Sequence, residues 1–135
     1  MRRYPTWEIR EQMIRRLFGY EGLGDKVIEE SHAKHLGEAA LIERLHLIAD
    51  HWSEMHERDE AQLMPFPRMR EMLRCAGCPV SPSEIGLKTE RCAASVIAAQ
   101  MIRSRYTVLD LAYETGRLYD VVKKISEVWN EDYSL

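Results

Sequence analysis

The chain has 135 residues, 45% of them hydrophobic and 30% charged, with a formal net charge of -3. That length suits a single domain able to bury a core without disulfides or metals, and the charge forms no basic stripe, Arg2-Arg3 and Arg15-Arg16 being only short pairs, so nucleic acid is not an expected partner. No apolar run approaches the ~18 residues of a membrane span, no apolar stretch follows the N-terminal arginines as a signal peptide requires, and three cysteines make no disulfide framework, so a reducing cytoplasm is the expected compartment.

The pattern predicts helix nearly throughout. The first helix spans about Thr6 to Phe18, with Thr6 as N-cap and Gly19 as stop. Ile9, Met13 and Leu17 form its expected buried stripe, and Glu11 pairs with Arg15 on the surface. A second helix starts near Asp25, which serves as cap, and runs to about Leu36 before Gly37. A third covers about Glu38 to Glu57, with the stripe Leu41, Leu45, Ile48, Trp52 and Met55, and with Glu43, Arg44, Asp50 and Glu54 in solvent.

Pro67 fits the first turn of a fourth helix that ends at Cys75, with Gly77 as its left-handed stop. Ser81-Pro82-Ser83-Glu84 reads as a capping box opening a short turn that ends at Gly86. A fifth helix, about Glu90 to Arg103, presents Ala93, Ala94, Val96, Ile97, Ala98, Met101 and Ile102. Thr107 with Asp110 caps the next, which Gly116 breaks, and a last one carries Val121, Val122, Ile125 and Trp129. No alternating strand pattern and no internal repeat is found. The expected fold is an all-α bundle of about six helices, antiparallel neighbours joined by short loops.

Few constellations could carry chemistry. Cys75-Ala76-Gly77-Cys78 is a CxxC, with Cys92 as a third thiol. Zinc needs four ligands, and a redox CxxC belongs at a helix N-terminus, where the dipole lowers the thiol pKa. Here the pair sits at a helix C-terminus, so two unrelated cysteines around a helix-ending glycine are the favoured reading. His32 and His35 have metal-pair spacing, but His46, His51 and His56 step by five and turn to different faces. Solvated surface histidines are expected. Arg103 and Arg105, beside the helix capped by Thr107, are candidate anion-binding residues. Against that, arginines there also balance nearby acids and the carbonyl end of the preceding helix, the favoured reading. No nucleophile elbow, triad or phosphate loop is present.

Two strings stand out: MREMLRCAGCPVSPSEIGL and IRSRYTVLDLAYETGRL. With the weaker IREQMIRRLFGYEGLGDKVIEESHAKHL and the helix to Trp52, they resemble the C-terminal part of the sn-glycerol-1-phosphate dehydrogenase family of iron-containing alcohol dehydrogenases. The resemblance spans about Glu8 to Val122. It implies an enzyme interconverting dihydroxyacetone phosphate and glycerol 1-phosphate with NAD(P). It also implies an N-terminal dinucleotide-binding domain, a helical C-terminal domain, and a divalent metal held by one aspartate and two histidines between them.

None of those ligands maps onto this sequence. His35-Leu36-Gly37-Glu38-Ala39-Ala40 looks like the family's metal-binding HGEAV string, but it has an extra leucine and lies too near the C-terminal signature. Glu30-Ser31-His32-Ala33-Lys34-His35-Leu36 instead matches a later, metal-free region. The chain therefore reads as the helical portion of a longer dehydrogenase, with no catalytic, metal or cofactor residue of its own and no turnover alone. Its expected partners are a second copy or a dinucleotide-binding domain. The alternatives are a stand-alone interaction or dimerisation module and, third, a small metal-binding protein using Cys75, Cys78, Cys92 and a histidine.

Overall fold

The computed structural model describes the backbone of residues 4–131 and the side chains of residues 4–129, so the Arg2-Arg3 pair lies outside the described residues. It is all-helical. The described residues form α1 (Trp7–Phe18), α2 (Leu23–His32), α3 (Glu38–Asp50), α4 (Trp52–Gln62), α5 (Phe66–Cys75), a 3-10 turn (Pro82–Ile85), α6 (Thr89–Ala99), α7 (Val108–Glu114) and α8 (Leu118–Glu131). They group into two compact units, one of residues 4–36 with 89–131 and one of residues 37–88.

In the first unit α1 packs on α2, while α6 and α7 pack on α8. Ile14, Val27 and Met101 form its buried centre, with Trp7, Met13, Phe18, Ile28 and Ile97 against them. Leu118 and Val122 are the buried residues of α8 among those whose side chains are described. The α1–α2 turn depends on Gly24: a Cβ there would stand 2.0 Å from the Gly19 carbonyl oxygen, so only glycine lets the two helix ends approach this closely.

Several expectations are corrected. The buried face of α1 is not Ile9-Met13-Leu17, since Ile9 is 51% and Leu17 52% exposed. The inward residues are Arg10 and Ile14, flanked by Trp7 and Phe18 at helical spacing. An arginine takes a core position because polar partners meet it there.

Helix α2 begins at Leu23 after Gly22 and ends at His32. Asp25 lies in its first turn rather than at the cap, and its carboxylate is taken by Arg15 at 2.6 Å. The third predicted helix is broken at His51, whose φ of -103° and ψ of 9° leave the helical region, and α4 then runs on to Gln62. No proline or glycine explains that break. Helix α6 stops at Ala99, four residues early, because Gln100 and Met101 turn inward and are buried. The break at His51 divides one expected helix into two, whereas the separate helices after Thr107 and Gly116 are present as expected; the described residues form eight α-helices in all.

The second unit has a different character. Leu41, Ser81 and Pro82 are its buried residues, and α4 and α5 contain none. Helix α5 closes as expected: Gly77, at φ 72°, lets the Gly77 and Cys78 amides reach the Arg74 and Leu73 carbonyls. Glu84 holds the Pro82 turn from within, accepting from the Val80 amide at 3.1 Å and the Ser81 hydroxyl at 3.0 Å.

Candidate functional site

The polar residues of the first unit converge. Arg10 points inward from α1 and is 2% exposed. Its Nε donates to Ser31 Oγ of α2 at 3.3 Å and its Nη2 donates to Gln100 Oε1. Its guanidinium lies 4.4 Å from the centre of the Tyr113 ring, a cation–π distance. Gln100 Nε2 donates in turn to Asp110 Oδ1 at 2.8 Å.

Lys34 Nζ stands 2.6 Å from that same carboxylate oxygen and donates to the Gln100 carbonyl at 2.5 Å. That carbonyl follows the end of α6, where the last peptide oxygens have no partner within the helix. The other Asp110 oxygen accepts from the Thr107 amide at 2.7 Å and the Thr107 hydroxyl at 2.8 Å. One carboxylate therefore caps α7 and closes a buried ion pair. Nearby, the Tyr106 hydroxyl donates to buried Glu114 at 2.7 Å.

An aromatic cluster borders this network. The Tyr4 and His35 rings stack at 5.0 Å, and the Trp7 ring meets His32 edge-on at 4.5 Å. The Tyr4 hydroxyl accepts from the Leu36 amide at 3.3 Å and lies 3.0 Å from His35 Nδ1.

Burial and charge act on each group. Burial pushes the Tyr113 hydroxyl up to about 12. Burial, reinforced by the Arg10 charge, pulls His35 below its ordinary value. Burial also lowers Arg10. On Asp110 burial acts upward, but the hydrogen bonds from Lys34, Gln100 and Thr107 together hold the carboxyl below its usual range.

Arg10 Nη1 and the Tyr113 hydroxyl make no well-formed hydrogen bond among the described residues, and both residues line a cleft. The space enclosed there is about 10 Å³, room for a single water. A nicotinamide or a phosphoryl group does not fit such a space. What the arrangement does chemically is hold charge: it ties α1, α2, the α6–α7 connection and α7 through one connected set of bonds.

The candidate anion residues Arg103 and Arg105 are both exposed. The Ser104 amide between them donates to Glu30 at 2.8 Å, and the first turn of α7 is capped by Asp110. Carboxylates of the protein itself therefore hold the Ser104 and Thr107 amides. Cys75 and Cys78 are exposed and Cys92 half-buried, all three as free thiols. Among the described residues no three His, Cys, Asp or Glu side chains come together as a metal site.

Of the histidines, His46, His51 and His56 are exposed as expected. His35 is half-buried under Tyr4 instead, because the Pro5 segment folds back over the end of α2. The sequence reading missed Arg10, Lys34 and Gln100. Arg10 could have been found as the one charge in the row Trp7, Arg10, Ile14, Phe18. Gln100 carries no local signal.

The groups described here do not form the metal site that the resemblance implies. Asp110 is taken by Lys34, Gln100 and Thr107, and His32 and His35 face Trp7 and Tyr4. No aspartate with two histidines is free to hold an ion among these groups. No strand occurs among the described residues, so they contain no dinucleotide-binding sheet. No family model, curated protein or solved structure matches the chain.

Proposed function

We propose that this chain is the helical module of a sn-glycerol-1-phosphate dehydrogenase-like, NAD(P)-dependent oxidoreductase and does not turn over substrate alone. One observation carries the reading. Two of the strings that bear the resemblance join in the buried network, while a third, MREMLRCAGCPVSPSEIGL, lies in the second unit. ESHAKHL contributes Ser31, Lys34 and His35, and RYTVLDL contributes Tyr106, Thr107 and Asp110. In this reading the two strings are parts of a helical architecture and supply no catalytic group. NAD(P) and a divalent metal would be held by polypeptide other than these helices, and hydride transfer belongs to the cofactor. A reducing cytoplasm is the proposed compartment, in keeping with the free thiols of Cys75, Cys78 and Cys92.

The test is NADH oxidation with dihydroxyacetone phosphate. The isolated chain should show no rate above background, and measurable turnover would overturn the module reading. A second reading, a helical interaction module, draws on the apolar side chains that α4 and α5 leave in solvent. The metal-binding alternative lacks a ligand set among the described residues.

A further inference from the structure

Helices α4 and α5 lack what ordinarily holds short helices together. They are 11 and 10 residues long, and neither buries a residue. Isolated helices shorter than ~12–15 residues are marginal in water, so these two require cover.

Each helix also presents an apolar row at helical spacing. On α5 it is Phe66, Met69, Met72 and Leu73, exposed by 57, 46, 48 and 40%. On α4 it is Trp52 and Met55, exposed by 53 and 38%, with Leu63 and Met64 following at 67 and 43%. Four of these eight are methionines, side chains suited to irregular protein contacts.

The charges say what the cover is. Helix α4 carries Glu54, Glu57, Asp59 and Glu60 against Arg58, while α5 carries Arg68, Arg70 and Arg74 against Glu71. Asp59 falls on the apolar face of α4 with Glu60 near its margin, and Arg68 and Arg70 flank the apolar row of α5, with Arg74 one turn beyond Arg70. One surface is acidic and apolar, the other basic and apolar, and a single chain carries both. A two-fold contact places each patch of one copy on the opposite patch of the other.

We propose that α4 of one copy docks on α5 of a second copy, and α5 on α4, to form a symmetric homodimer. The apolar rows form the contact and the opposite charges set its register. This deepens the interaction-module reading by naming its partner.

The experiment is sedimentation equilibrium on the full chain and on charge-reversed variants, each checked by circular dichroism for retained helix. R68E/R74E makes both helices acidic, and D59K/E60K tips both to basic. Each variant alone should weaken dimerisation at least about tenfold, because like charges then face each other. Mixing the two variants should restore a dimer, and so should all four substitutions in one chain, which swap the signs. That rescue keeps the test valid even if a single variant folds poorly.

A wild-type dimer indifferent to both reversals would overturn the assigned face and leave the interaction reading standing. Reversals that weaken the dimer but are not rescued by mixing or by the sign swap would overturn the two-fold pairing. A wild-type chain that stays monomeric at every concentration would overturn the homodimer and leave the interaction reading to a partner other than a second copy.

Discussion

The two units solve the problem of stability in opposite ways. Residues 4–36 with 89–131 bury charged and polar groups: Arg10, Gln100, Asp110 and Glu114 lie inside with Ile14, Val27, Met101 and Leu118. Residues 37–88 leave apolar side chains outside, among them Trp52, Phe66 and Leu73. Buried charge is costly unless every lone pair and proton is matched, so it fixes one arrangement of the helices it joins. Exposed apolar surface fixes nothing until a partner arrives. The first unit is therefore specified from within, and the second from without.

The comparison breaks most readily at Asp110. Removing one member of a buried ion pair leaves the other uncompensated and costs about 3–5 kcal/mol. D110A should show a loss of that order in urea unfolding, since Lys34, Gln100 and the α7 cap lose their acceptor together. D59A, an acid of α4, should change the stability of the dilute monomer by no more than about 0.5 kcal/mol. Equal effects at the two positions would erase the distinction.

Gly24 comes next. G24A forces a methyl group against the Gly19 carbonyl oxygen, and overpacking of this kind costs about 1–3 kcal/mol. Thermal unfolding followed by circular dichroism reads the loss. An unchanged melting temperature would mean that α1 and α2 do not need this approach.

Acid should act through His35. Its folded value lies below the ordinary 6.5, so the unfolded chain binds the proton more readily. Stability from this group is present above 6.5 and is lost as the pH falls below it. Asp110, held below 3.8, adds a second loss only at lower pH, as its own folded value is crossed. H35Q should flatten the first slope in a pH series of urea midpoints and leave the second. The smallest effect belongs to α5: M69S should move the unfolding free energy of the dilute monomer by no more than about 0.5 kcal/mol.

The all-helical class was legible because helix punctuation is local. Thr107 with Asp110, Gly77, Gly86 and the prolines at 67 and 82 mark ends through neighbouring backbone alone. The network was not legible, because its bonds span long separations. Arg10 meets Gln100 across 90 positions, and Lys34 meets its carbonyl across 66. Periodicity assigned the buried face of α1 to Ile9 and Leu17 because it treats arginine as an outward residue. Only the partners on α2 and after α6 reverse that choice. Asp110 was read correctly as a cap, but its second role needs Lys34, which no spacing rule connects to it.

Hydrogen exchange followed against protein concentration tests the contrast most directly. In dilute solution the amides of α1, α2, α6 and α8 should exchange slowly and those of α4 and α5 near their intrinsic rates, with protection of α4 and α5 rising together as copies pair. Protection in α4 and α5 equal to that of α1 in a solution of monomers would contradict it.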